Sequence, residues 1–82
     1  MARQKFKVVL EHDPATRQWV TYVLGLNLIS TFGATREEAL ENTEDLIRGY
    51  VESAFEDGIP LPNGPVEETW LEVDVPTPRV KI

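Results

Sequence analysis

The sequence lacks cysteine entirely and contains a single histidine, His12. Disulfides, thiolate metal sites and cysteine nucleophiles are therefore excluded, as is a metal site built on paired histidines. No apolar run approaches the ~20 residues of a membrane helix. The first residues show no signal-peptide pattern, so we expect a cytoplasmic protein.

Basic residues are scarce, with 8 Lys and Arg against 14 Asp and Glu, which gives a formal net charge of −6. A nucleic-acid backbone or an anionic membrane attracts clustered positive charge, so direct binding to either is disfavoured. An acidic surface instead suits a basic partner.

Alternation of apolar and polar residues predicts four strands. An Asp13-Pro14 turn separates the first strand from the second, and Gly25 and Asn27 mark the next turn. The predicted strands span residues 6–11, 19–24, 28–32 and 69–75.

One long helix of about 22 residues separates the third strand from the fourth. Thr35 and Glu38 form a capping box at its start, and Gly58 lies where a helix-terminating glycine is expected. Gly49 falls inside the helix, where it is either a tolerated surface glycine or a point of close backbone approach.

The order β-β-β-α-β predicts an α+β fold of two layers in a single domain over residues 1–82. The sheet is expected to be mostly antiparallel, with the long helix on one face. The last strand is expected beside the first, in parallel if the crossover is right-handed.

Because one helix covers only one face of the sheet, the opposite face is left to solvent or to a partner. We expect Phe6, Val8 and Leu10 to face the helix together with Val20, Tyr22 and Leu24. The opposite face would be an interface within a homo-oligomer (dimer or tetramer) or with a partner. The alternative is an inverted assignment with Trp19 in the core. The predicted interface residues are Val9, Trp19, Thr21, Val23 and Trp70.

Acidic residues follow the polar side of the helix, with Glu38, Glu41 and Asp45 at helical spacing. Glu44–Arg48 and Arg48–Glu52 are candidate i,i+4 pairs. The stripe is either an ordinary solvated face or a docking surface for a basic protein.

Catalytic patterns are weak, and we expect no enzyme activity, metal or cofactor. Glu11 and Asp13 share a side of the first strand, which would permit a residual divalent-ion nuclease, but hard cations require more converging oxygens. The serines have no second histidine to serve as a base.

The segment Gly33-Ala34-Thr35-Arg36-Glu37-Glu38-Ala39-Leu40-Glu41-Asn42 resembles the "G-D-T-x-E-E-A-x-x-N-A" helix start of HicB-family antitoxins. Gly58-Ile59-Pro60-Leu61-Pro62 is similar to the connector that follows that helix. The first two strands also look like that family's opening hairpin. In place of the family's "D-L-P-G-C" turn, this chain has Val23-Leu24-Gly25-Leu26-Asn27-Leu28-Ile29.

The resemblance implies a β-β-β-α-β, partial RNase H-like domain without catalysis. It also implies a partner, a small basic HicA-type ribonuclease toxin that the domain neutralises. Many family members carry a DNA-binding domain, whereas we expect this domain to stand alone. The alternative is an orphan, self-assembling structural or regulatory domain that has no toxin.

Overall fold

The computed structural model describes residues 3–77 and confirms the α+β class. Three strands come first: β1 (Val8–Asp13), β2 (Gln18–Val23) and β3 (Ile29–Gly33). A short 3-10 helix, Leu24–Leu26, lies between β2 and β3. The long helix α1 (Arg36–Glu56) follows β3. The strands form one antiparallel sheet in the order β1-β2-β3, as the sequence predicts for the first three.

The first hairpin turns where Asp13 and Pro14 predict it. The Asp13 carbonyl accepts a hydrogen bond from the Arg17 amide at 2.7 Å, and the Asp13 carboxylate accepts one from the Ala15 amide at 2.9 Å. A carboxylate that bonds its own turn in this way closes the hairpin locally. It also fixes the pairing of Asp13 with Gln18 and thus the register of β1 against β2.

The second connection is more compact than the sequence suggests, because it winds into a 3-10 turn. Leu26 in this turn is fully buried. Asn27 and Leu28 then both adopt left-handed backbone conformations, with φ of 56° and 59°. Asn tolerates that conformation readily and Leu does not. The strained Leu28 therefore belongs to the turn, and β3 begins one residue later than predicted.

Both ends of α1 match the sequence signals. The Thr35 hydroxyl accepts a hydrogen bond from the Glu38 amide at 3.1 Å. At the other end Gly58 has φ of 65°, and its amide donates to the Phe55 carbonyl. The Ile59 amide donates to the Ala54 carbonyl at 2.9 Å, which completes a Schellman motif.

The helix lies over β3 and β2, with few contacts to β1. Gly33 allows this close approach, since a Cβ there would collide with the backbone nitrogen of Ala39 and lie 2.8 Å from the Glu38 carbonyl carbon. The resulting core is small. The buried side chains are Thr21, Val23, Leu26, Ala39, Thr43 and Ala54.

The predicted fourth strand is wrong for the single chain, in which residues 69–75 pair with no strand. We call residues 69–77 the arm. Its large side chains are open to solvent: Trp70 is 97% exposed, Leu71 83%, Val73 70% and Val75 74%. The alternation is present in the sequence, but a strand forms only where another strand supplies hydrogen-bonding partners. The chain passes the start of β1 and then leaves the sheet.

A pair of glycine substitutions tests the close seating of the helix. Gly33→Ala should lower the free energy of unfolding by about 2 kcal/mol or more, because only backbone atoms face the added methyl group. Gly49→Ala is the control, since nothing lies within 4 Å of its Cβ position. It should stabilise the helix by about 0.5–1 kcal/mol. Urea unfolding of both variants measures the difference, and equal effects would contradict the packing described here.

Candidate partner-binding surfaces

The second strand presents its faces in the inverted sense, so that Trp19, Thr21 and Val23 lie on the side of β2 that faces α1. The deciding contact is a buried hydrogen bond of 2.6 Å between the hydroxyls of Thr21 and Thr43, the latter on α1. Thr21 and Val23 have no exposed surface. The outward placement of Trp19, Thr21 and Val23 is therefore wrong. The inverted assignment is confirmed for the faces of β2, but Trp19 is only half-buried and is not part of the core.

The physical reason for this inversion is that alternation separates two sets of residues but does not say which set faces the helix. A threonine such as Thr21 is expected at the surface from sequence alone, because its hydroxyl needs a hydrogen-bond partner. Here the Thr43 hydroxyl of α1 provides that partner. The Thr43 hydroxyl also lies 2.6 Å from the Ala39 carbonyl, to which it donates. Buried polar groups are tolerated when they are bonded in this way.

The pairing of β1 with β2 shows which other residues lie on the helix side of the sheet. Val8 pairs with Val23 and Leu10 with Thr21, so β1 presents both residues on the helix side, as predicted. Val20 and Tyr22 alternate with the buried residues of β2 and lie on the outer face, contrary to the prediction. Leu24, also expected to face the helix from a strand, instead begins the 3-10 turn.

Val9 and Trp70 line a shallow outer-face pocket of about 710 Å³, together with Leu24, Leu28 and Val66. Two of the five predicted interface residues therefore come together, although the other three do not. Glu67 and Glu68 also line this pocket and give its rim negative charge.

Glu38, Glu41 and Asp45 are all exposed on α1, as the sequence predicts for the acidic stripe. Arg48 reaches back to this side, with one nitrogen 2.8 Å from Glu44 and another 3.3 Å from Asp45. The Glu44–Arg48 pair is confirmed. Exposed pairs of this kind contribute little to stability.

A groove that the sequence does not predict lies between β1 and α1. It has a volume of about 790 Å³ and is lined mainly by apolar side chains, including Phe6 and Val8 on one side and Leu40, Ile47 and Val51 on the other. It exists because α1 sits over β2 and β3 and leaves the inner side of β1 uncovered. The two apolar stripes are visible in the sequence, but their separation depends on tertiary packing.

The polar residues around the first hairpin form hydrogen bonds and ring contacts within the hairpin itself. Hydrogen bonds from the Ala15 amide and the Thr16 side chain lower the pKa of Asp13 from its usual value of 3.8. The His12 ring packs edge-on against Trp19, with centroids 5.1 Å apart.

Within residues 3–77 no group of three or more His, Asp or Glu side chains is placed to hold a metal ion. No helix in this part of the chain is long and apolar enough to cross a membrane.

The Thr21–Thr43 bond predicts a measurable coupling between the sheet and the helix. Thr21→Val and Thr43→Val should each lower the free energy of unfolding by about 1 kcal/mol, because each loses a buried hydrogen bond. The double variant should lose at least about 0.5 kcal/mol less than the sum, since no hydroxyl is left unpaired. A double-mutant cycle by urea unfolding measures this coupling, and strict additivity would show that the two hydroxyls do not interact.

Comparisons of the chain with protein-family models, with curated proteins and with solved structures return no match. Membership of the HicB family, which residues 33–62 suggest by resemblance, therefore remains a prediction from the sequence.

Proposed function

We propose that this chain is a HicB-like antitoxin domain with a partial RNase H-like fold. It binds a small basic ribonuclease of the HicA type and neutralises it by covering the surface that holds RNA. In this proposal the domain acts in the cytoplasm and has no catalytic activity of its own. Two features support it: the helix start and connector of residues 33–62, and the acidic stripe on α1.

The acidic stripe is the observation that carries the proposal. Glu38, Glu41 and Asp45 are spaced three and four residues apart, which places them along one side of α1, and all three are exposed. A surface that binds RNA is basic because it must neutralise phosphates. A row of carboxylates is complementary to such a surface and would compete with RNA for it.

The absence of catalysis is part of the same proposal. Asp13, the most plausible acidic participant, accepts hydrogen bonds that stabilise its own turn. Glu11 lies opposite Val20 in the register. Neither arrangement brings several oxygens together at one point, as a hydrolytic metal site requires.

The second candidate is an orphan domain that self-assembles for a structural or regulatory purpose and has no toxin. The exposed arm favours it, since Leu71, Val73 and Val75 alternate along it and are 70–83% exposed. This candidate predicts that the chain binds only copies of itself.

The deciding experiment recovers proteins that bind the tagged chain in a lysate of its source cells after a moderate-salt wash. The antitoxin proposal predicts one stoichiometric small basic protein. That protein should cleave RNA once it is released and lose this activity when the chain is added back. Recovery of the chain alone, or of a protein without ribonuclease activity, would contradict the proposal.

Charge reversal tests the role of the helix. Glu41→Lys together with Asp45→Lys should slow association with the recovered ribonuclease by about tenfold or more at low salt, because charge chiefly sets the association rate. Stopped-flow or surface plasmon resonance measures the rate.

The matched control is Glu11→Lys together with Glu67→Lys, which changes the net charge equally but away from α1. It should slow association less than the helix variant does. Equal rates for the two double variants would show that the stripe is not the contact.

A further inference from the structure

The arm has the sequence of a half-buried strand but lies in the open. Leu71, Val73 and Val75 alternate with Glu72 and Asp74, so an extended arm places apolar side chains on one side and carboxylates on the other. The three apolar residues are between 70% and 83% exposed. Such a segment is a ready partner for a sheet edge.

The sheet offers a matching edge at β1. Within residues 3–77 this strand pairs with β2 alone, so its outer row of backbone groups is free for another strand. The apolar groove lies along the same side, between β1 and α1. A strand added beside β1 would direct every second side chain toward that groove.

The arm projects away from the body of its own chain. Its root is fixed near the start of β1, where the Asn63 side-chain amide donates to the Lys5 carbonyl at 3.4 Å and Lys7 lies 2.9 Å from Glu68. The described chain measures 60 × 28 × 20 Å, with a radius of gyration of 16.9 Å. A compact chain of this length would have about 12 Å. The arm therefore lies outside the compact body of its own chain.

Charge makes a second copy of this chain a suitable occupant of the edge. The arm carries Glu72 and Asp74 without a basic residue between positions 69 and 77, whereas Arg3, Lys5 and Lys7 precede β1. Within one chain Lys7 already pairs with Glu68, the residue immediately before the arm. Two copies related by a two-fold axis would occupy both edges and cover both arms.

We propose that residues 69–75 of one copy add as a strand to the β1 edge of a second copy, and that the exchange is reciprocal. Leu71, Val73 and Val75 then fill the groove beside Phe6 and Val8. This dimer gives the sheet a fourth strand that the single chain lacks. It does not depend on what the acidic stripe of α1 binds.

Sedimentation equilibrium of the full chain tests the assembly. The wild-type chain should be a dimer. Val73→Asn should weaken dimerisation by at least about tenfold, because it removes an apolar side chain from the groove. Asp74→Asn is the matched control on the opposite side of the arm and should change the dissociation constant by less than about threefold. A monomeric wild type, or equal behaviour of the two variants, would overturn the proposal.

A second measurement distinguishes exchange from pairing within one chain. In an equal mixture of isotope-labelled and unlabelled chains, filtered nuclear Overhauser spectra should show contacts between Val73 methyl groups of one copy and Val8 or Ile47 methyl groups of the other. Contacts confined to the same molecule would mean that the arm returns to its own β1, and the proposal would fail.

Discussion

The close contact between α1 and the end of β3 determines the rest of the structure. Gly33 lets the helix backbone approach the strand, and the Thr21–Thr43 hydrogen bond ties the helix to the central strand. A helix held in this position covers β2 and β3. It cannot also cover β1, since the width of one helix with its side chains is about 10–12 Å and neighbouring strands lie almost 5 Å apart. The open groove and the outward acidic stripe both follow from this placement.

The small core explains why the uncovered surfaces matter energetically. Among residues 3–77 only four apolar side chains are buried in the single chain, those of Val23, Leu26, Ala39 and Ala54. Domains of this size are marginally stable because they bury a smaller fraction of their unfolded surface than larger domains do. Further apolar burial at β1 and the arm would therefore be a substantial addition to the total. The groove that would receive the arm is lined partly by α1, but Glu38, Glu41 and Asp45 are not among its lining residues. Partner binding and self-assembly therefore need not compete for the same residues.

Local signals in the sequence predicted the local structure well. The capping box at Thr35, the terminating Gly58 and the Asp13 turn each act through a few neighbouring residues, and all three are confirmed. Face assignment was correct for β1 but failed for β2. Alternation alone does not say which face meets the helix, and the deciding Thr21–Thr43 bond joins residues 22 positions apart. Gly33 was missed for the same reason, since its importance lies in a helix backbone that packs against it. The exposure of Glu38, Glu41 and Asp45 was predictable because helical spacing alone places them opposite the apolar stripe. The prediction of a fourth strand failed because alternation is necessary for strand pairing but does not provide a neighbouring strand to pair with.

The most direct test of the account is amide hydrogen exchange of the full chain at low and high protein concentration. We predict that the amides of β2 are protected at both concentrations, because β2 lies between two strands. The amides of residues 71–75 should exchange freely when the chain is dilute and become protected when it is concentrated. Arm amides that exchange freely at every concentration, or that are equally protected at the lowest one, would contradict the claim that a second copy completes the sheet.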